Sequence, residues 1–422
     1  MSALFFTLAF AVALATVLVL RMMLVTRQIR HVAKHRGAVP PDFVGAVSLA
    51  AHQKAADYTI ARQRFDLLTA AWSAMVLVGW TLLGGLDALN VSLREVLQPR
   101  WGELAYEVGL IAAVSAIGGL LDLPFEAWRT FKLEQRFGFN RSTPALWWRD
   151  QLVQSLVGMV IGLPLAALVL WLMASMGTLW WLWAFAALAA FILLMQGLYP
   201  TVIAPLFNKF TPLDDPELKR RVEGLMQRCG FRAQGFYVMD GSRRSAHANA
   251  YFTGFGPVKR VVFFDTLLKR LTPSEVEAVL AHELGHFHHR HVQQRMVTML
   301  GLWLGTLALI GWLMDQPNFY LGLGVVPNMV APNHAVALLL MMMVGPVFSF
   351  LLGPLMSAAS RRHEYQADAY AGQQSNRGDL ASALVKLFDD NASTLTPDPL
   401  YVRFYYSHPP ASERLAALGL RR

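Results

Sequence analysis

His282-Glu283-Leu284-Gly285-His286 is the stretch on which the reading of this 422-residue chain turns. On an α-helix, residues i and i+4 lie on one face, roughly 6 Å apart along the axis. Two imidazoles so placed can share one tetrahedral cation, each nitrogen about 2 Å from it. A glutamate beside the first histidine can then take a proton from a water that the cation activates. A helix is expected here because Thr272-Pro273-Ser274-Glu275 forms a capping box with proline at the first helical position. The pattern also arises by chance, so its meaning depends on whether the chain supplies the missing parts of a site.

The residues around this helix are mostly apolar. The chain is 55% hydrophobic and only 15% charged, with mean hydropathy +0.38. Soluble domains carry about 25% charged residues, so this is a membrane composition. Seven stretches approach the ~20 residues that a bilayer requires, at roughly 3–23, 67–89, 104–124, 152–173, 178–199, 295–314 and 335–357. The third is the least regular, because Glu107 and Asp122 bracket it. The first begins without a basic segment and lacks a small-residue cleavage site, so it reads as a retained span rather than a signal peptide.

Positive charge sorts the connections. Arg27, Arg30, Lys34, Arg36, Lys54, Arg62 and Arg64 lie between spans 1 and 2. Arg129, Lys132, Arg136, Arg141 and Arg149 lie between spans 3 and 4, and Arg361 and Arg362 follow span 7. The alternate connections are nearly free of lysine and arginine. The positive-inside rule therefore places the N-terminus outside and the C-terminus in the cytoplasm. The net charge of +9 is read as topology signal and contact with anionic lipid, not as a nucleic-acid surface. The single cysteine, Cys229, excludes an intrachain disulfide and sits on the apolar stripe Leu218, Val222, Leu225, Met226.

The chain thus divides into 1–199 (spans 1–5), a 200–293 insertion bearing the HELGH helix, a 294–358 hairpin (spans 6 and 7), and a 359–422 segment. The insertion reads as α+β. Asp215-Pro216 starts a helix that Gly230 stops. Strand-like runs follow at Phe236 to Met239, Ala248 to Phe252 and Val261 to Phe264.

A catalytic zinc takes three protein ligands and keeps one position open. Glu364 is the candidate third ligand, on the helix leaving span 7. Asp368, one turn on, can accept the second N–H of a ligand histidine and fix its tautomer. Two spans separate His286 from Glu364, which returns both to the same side of the membrane. The alternative for Glu364 is a salt bridge with a nearby arginine. His288, His289 and His291 are expected to be solvated or to face headgroups; alternatively one of them, His289 by register, closes the site as a fourth ligand and makes it structural. Around Asn249, the run His247 to Phe252 suggests a strand edge that binds an extended peptide, with His247, Asn249 and Ala250 on the substrate side; it can equally be a plain strand. His408, ahead of Pro409-Pro410, can donate to the oxyanion of amide hydrolysis or cap the last helix.

Taken together, these residues resemble the Ste24-type CAAX prenyl peptidases, integral-membrane zinc metalloproteases of family M48. The resemblance runs through Leu123-Pro124-Phe125, Phe137-Gly138-Phe139-Asn140, Ala204 to Leu213, Met239 to Gly254, His282 to His286, Ser360 to Asp368 and Ser407-His408-Pro409-Pro410. It implies a mainly α, polytopic protein whose seven helices form a barrel around a water-filled chamber, with a small α+β metalloprotease domain on the cytoplasmic side. It implies one Zn²⁺ per chain held by His282, His286 and Glu364, with Glu283 as base and substrate-side roles for Asn249 and His408. The expected substrates are prenylated C-terminal CAAX peptides. In a bacterial inner membrane they would instead be damaged or misfolded membrane proteins or short peptides. An intramembrane protease with its HExxH among lipid tails does not fit, because Lys269, Arg270, Glu275, Glu277 and Arg290 flank the motif. The remaining alternative is a seven-span transporter or receptor with a structural zinc.

Overall fold

A computed structural model of the protein describes residues 1–253 and 258–420. Gly254, the last residue of the 239–254 run, lies outside the described residues. Among them, six helices are long and apolar enough to cross a membrane: Ala3–His35, Glu103–Phe137, Pro144–Ser175, Gly177–Phe207, His291–Leu313 and His334–Gln374. The pair Leu49–Trp80 and Gly85–Trp101, bent by 50°, is long and apolar enough only when taken together, as one broken span or a re-entrant loop, which gives six to seven crossings.

The expected single span at 67–89 is therefore broken. Its helix stops at Trp80; Thr81 leaves the helical region at ψ −96°, and Gly84 takes φ +75°. Past this point the apolar run is exhausted. Asp87 accepts the Val326 N–H at 2.9 Å, which ties the second helix to the 323–333 loop. The 104–124 stretch, in contrast, is one continuous helix. Its Glu107 is 2% exposed, lies 3.5 Å from His334 Nδ1, and accepts the Ala335 N–H at 3.3 Å. The carboxylate thus sits at the positive N-terminal end of the last spanning helix, which accounts for an acid at that depth.

Several of these helices outlast the bilayer. Thirty-three residues in Ala3–His35 make a rod of about 50 Å, against a hydrocarbon core of about 30 Å. At one end the N-terminus meets the 315–333 loops, where Thr7 Oγ1 donates to the Gly322 carbonyl at 2.7 Å. At the other end the helices run on into a small domain.

That domain holds a four-stranded sheet in the order β1 (Phe210–Pro212), β2 (Arg232–Met239), β4 (Val258–Phe264), β3 (Ala250–Thr253). β2 and β4 are parallel, and the outer strands are antiparallel to their neighbours. β3 is consequently an edge. The helices Pro216–Arg228 and Pro273–His288 cover the sheet, packing Leu218, Val222, Leu225, Leu280 and Leu284 with Val261 and Phe263 into one core. Both helices start as their sequences predict. Asp215 Oδ1 accepts the N–H groups of Glu217 and Leu218 at 3.0 and 2.9 Å. Glu275 Oε2 accepts the Thr272 N–H at 2.8 Å, closing the capping box. Cys229 is half-buried at the C-cap of the first of these helices.

Candidate metal centre

Two helices make the site. Pro273–His288 carries His282 and His286, and Gly353–Gln374 carries Glu364 and Asp368. They approach unusually closely because residue 285 has no side chain: a Cβ there would lie 2.9 Å from Ala367 Cα and 3.1 Å from its carbonyl oxygen. Glycine between the two histidines lets one backbone rest on the other.

The donor atoms converge. His282 Nε2 and His286 Nε2 are 3.3 Å apart, with Glu364 Oε2 3.4 Å from the first and Glu364 Oε1 3.4 Å from the second. A tetrahedral ion with bonds of about 2.05 Å has donor–donor edges of about 3.3 Å, so the set fits zinc. One oxygen of this deeply buried carboxylate, Oε2, has no hydrogen-bond partner, as suits an atom reserved for a cation. The donors within 4.8 Å of one another are His282, His286 and Glu364. His289 is not in this group; it is the C-cap of its helix and packs against Tyr370 and His291.

Each histidine is braced from behind, in a different way. His282 Nδ1 donates to Asp368 Oδ1 at 2.8 Å. Asp368 is gripped bidentately by Arg414, at 2.6 and 2.8 Å. His286 Nδ1 instead meets His291 Nδ1 at 3.0 Å, and His291 Nε2 meets Gln366 Oε1 at 2.9 Å. His291 is therefore not solvated, as had been expected from its place after the motif; it is 1% exposed and stacked on His363 at 4.0 Å. The cause is Arg290 in the left-handed region at φ +57°, which turns the chain back beneath His286. The alternative of an arginine salt bridge to Glu364 is not seen among the described residues, where its charged neighbours are His282, His286 and His408.

The local field separates the titrating groups. Burial lowers the pKa of His282, but the adjacent Asp368 and Glu364 carboxylates outweigh this and raise it to about 9. His286 is pushed down to about 3, by burial and by the neighbouring His282. Burial, reinforced by the Glu364 charge, raises the Glu283 carboxyl above its ordinary value. His408 is lowered, chiefly by desolvation.

His408 Nε2 stands 3.4 Å from Glu364 Oε1, and its Nδ1 lies 3.0 Å from Ser407 Oγ. The last helix, Ala411–Ala417, has Pro410 as its N-cap, so His408 does not cap it. His408 and Asn249 line a cavity of about 840 Å³ between the zinc-side domain and the first two spanning helices. Asn249 Oδ1 takes the Ala250 N–H at 2.8 Å, and its backbone carbonyl takes the Phe264 N–H at 3.0 Å. Ala250 is buried and pairs with Phe263. His247 lies apart from this cavity. It stacks on Phe139 at 4.6 Å, contacts Asn391 Oδ1 at 3.0 Å, and lines a second space of about 540 Å³.

Sequence reasoning did not find Arg414, the His291–Gln366 brace or Asn391. Only His291 had a visible signal, its place five residues after His286 in a histidine-rich turn.

A bundle of spanning helices, an α+β cap and an HExxH helix crossed by a buried glutamate define a membrane-embedded metalloendopeptidase. Two family models divide the chain between them: CAAX prenyl protease N-terminal, five membrane helices, over 28–209, and peptidase family M48 over 212–421. CAAX prenyl protease 1 of Saccharomyces cerevisiae is 33% identical over 90% of this chain and 88% of its own. The human CAAX prenyl protease 1 homolog is 28% identical over 96% and 93%. The crystal structure of S. mikatae Ste24p superposes with a TM-score of 0.89 at 29% identity, covering 98% of each chain. The chain belongs to peptidase family M48, in its Ste24-type CAAX prenyl protease branch. It is an integral, multi-pass membrane enzyme that acts on a peptide or protein.

Proposed function

We propose that the metal is one Zn²⁺, held by His282, His286 and Glu364, and that the enzyme cuts peptide bonds near the C-terminus of CAAX-like peptides, prenylated where the host makes such lipids, or of membrane-associated and misfolded proteins. The observation that carries this reading is the convergence of two imidazole nitrogens 3.3 Å apart on the Glu364 carboxylate, whose two oxygens lie 3.4 Å from one nitrogen each; three such donors suit zinc and leave a corner for chemistry. A non-catalytic structural site would close that corner with a fourth ligand. Bound there, zinc supplies Lewis acidity, lowering the pKa of a water and polarising the substrate carbonyl.

The remaining work falls to side chains. Glu283, with a carboxyl raised by burial, takes the proton of the attacking water and returns it to the leaving amine. His408 is neutral at pH 7; with the Ser407 hydroxyl donating to its Nδ1, its Nε2–H is free to donate to the developing oxyanion. Asp368 fixes the His282 tautomer. The Asn249 amide meets the peptide backbone beside the β3 edge. The charge pattern of the loops supports a cytoplasmic site, with the N-terminus outside.

Glu283→Gln tests the assignment. The variant is expected to keep stoichiometric zinc and to lose nearly all cleavage of a quenched peptide in detergent. Wild-type turnover by this variant would remove Glu283 from the mechanism.

A further inference from the structure

The wall that the first two spanning helices contribute to the 840 Å³ cavity is rich in hydrogen-bond donors and unbalanced in charge. Arg21 and Gln28 reach it from the first spanning helix, and Arg62 and Gln63 from the second. Asp66 is the one carboxylate among the lining residues, and it is committed to Arg129 at 2.9 Å. Arg62 comes no nearer to it than 4.0 Å. Arg414, also on the wall, is neutralised by Asp368. Arg21 faces no carboxylate among the described residues; its guanidinium rests on the Phe350 ring at 4.8 Å.

A second, independent observation points the same way. Arg21 Nε and Gln28 Nε2 are buried donors without a hydrogen-bond partner, and Gln28 is 0% exposed as a whole residue. Buried polar groups are rarely left unpaired without a role, because each forfeits its hydration. Two guanidinium groups and an amide N–H that line one cavity offer donors suited to an anion with two acceptor oxygens.

We propose that Arg21, Arg62 and Gln28 bind the free C-terminal carboxylate of the peptide whose backbone lies at Asn249 and His408. The α-carboxylate is the one anion that a C-terminal segment presents whatever its side chains, and the cavity adjoins the metal centre through His408, which lines it and stands 3.4 Å from Glu364. The enzyme therefore measures its cut from the chain end. This rests on the peptidase reading above. It adds that a site able to hydrolyse internal bonds selects those near a terminus by charge.

The test compares one peptide sequence with a C-terminal carboxylate and with a C-terminal amide, using the full-length enzyme in zwitterionic nanodiscs and following products by mass. The wild type is expected to favour the acid at least tenfold in kcat/KM. Arg21→Gln, Arg62→Gln and the double variant are expected to bring that ratio towards one, at unchanged zinc content. Equal wild-type rates on the two peptides would overturn the proposal. So would arginine variants that slow both peptides alike and keep the ratio, since the arginines would then be structural. Repeating the assay with anionic lipid separates the other source of an anion: if the lipid alone alters the rates and the arginine variants abolish that effect and nothing else, the wall holds a headgroup and the proposal fails. If the wild type cuts neither peptide, the peptidase reading is at fault. Equilibrium binding of fluorescent acid and amide peptides to the same protein then decides the subsite, with equal affinities counting against it.

Discussion

Gly285→Ala sets two energies of opposite sign against each other. In an ordinary helix interior the change is favourable by about 1 kcal/mol, because glycine is the weaker helix former. Here the added Cβ would meet Ala367 Cα at 2.9 Å, its carbonyl oxygen at 3.1 Å and Tyr370 Cβ at 3.2 Å. Carbon atoms in contact sit about 3.5–4.0 Å apart, so the Pro273–His288 and Gly353–Gln374 helices must part by roughly 0.6–1.1 Å. Two of the obstructing atoms are backbone, which no rotamer change can move aside. Metal sites tolerate bond-length errors of only about 0.2 Å, so parted helices no longer close the His282, His286, Glu364 triangle. Overpacking of this kind costs about 1–3 kcal/mol. The metal-free protein relieves it by separation, and the metal-bound form cannot. The strain therefore appears as a loss of zinc affinity of about 5- to 150-fold. Chelator competition on the purified variant measures it. Gly345→Ala, where a Cβ meets nothing within 4 Å, serves as the control and should leave zinc binding as it was. A zinc affinity for Gly285→Ala within twofold of wild type would refute the close-approach argument.

Three further outcomes follow from the braces and the field. Asp368→Leu strands the buried Arg414, which should lower stability by about 3–5 kcal/mol; Asp368→Leu/Arg414→Met should recover most of that in thermal unfolding. Zinc affinity should stay about 10- to 100-fold weaker in both, because His282 Nδ1 has lost its acceptor, and its recovery in the double variant would contradict the brace. His282 stays imidazolium, with a proton on both nitrogens, up to about pH 9 in the metal-free protein, while His286, at about 3, is the neutral imidazole at neutrality. Zinc must displace one of these protons, so affinity should climb about tenfold per pH unit below 9 and flatten above it; calorimetry in buffers of different ionisation enthalpy at pH 7 should find about one proton released, and zero would refute it. His291→Ala leaves His286 Nδ1–H unpaired and should weaken zinc about 10- to 100-fold, whereas His291→Asn keeps an acceptor near Nδ1 and should restore most of it in the same chelator assay.

What the sequence made legible was whatever a short-range rule encodes. The capping box at Thr272, the Asp215 cap and the i, i+4 histidines are local, and each element starts where its residues direct. The pairing of Glu364 with the histidines is long-range, yet an even number of intervening spans was enough to place both on one side. The misreadings arose where tertiary partners override local character. Glu107 looked like a defect in a span because its partner, the N-terminal end of the last spanning helix, lies 228 residues away. The stretch at 67–89 looked continuous because hydropathy does not register the break at Thr81–Gly84. His291 looked solvated because a histidine-rich turn is polar in composition, and one residue at positive φ reversed the chain beneath it. Arg414 carried no signal at all. Its role exists only because Asp368 lies opposite, and an arginine six residues after His408 is indistinguishable from a surface charge until the two helices are packed. The donor set of such an enzyme is thus written in spacing, while the groups that aim those donors are written in packing, and it is the second set that the variants above would interrogate.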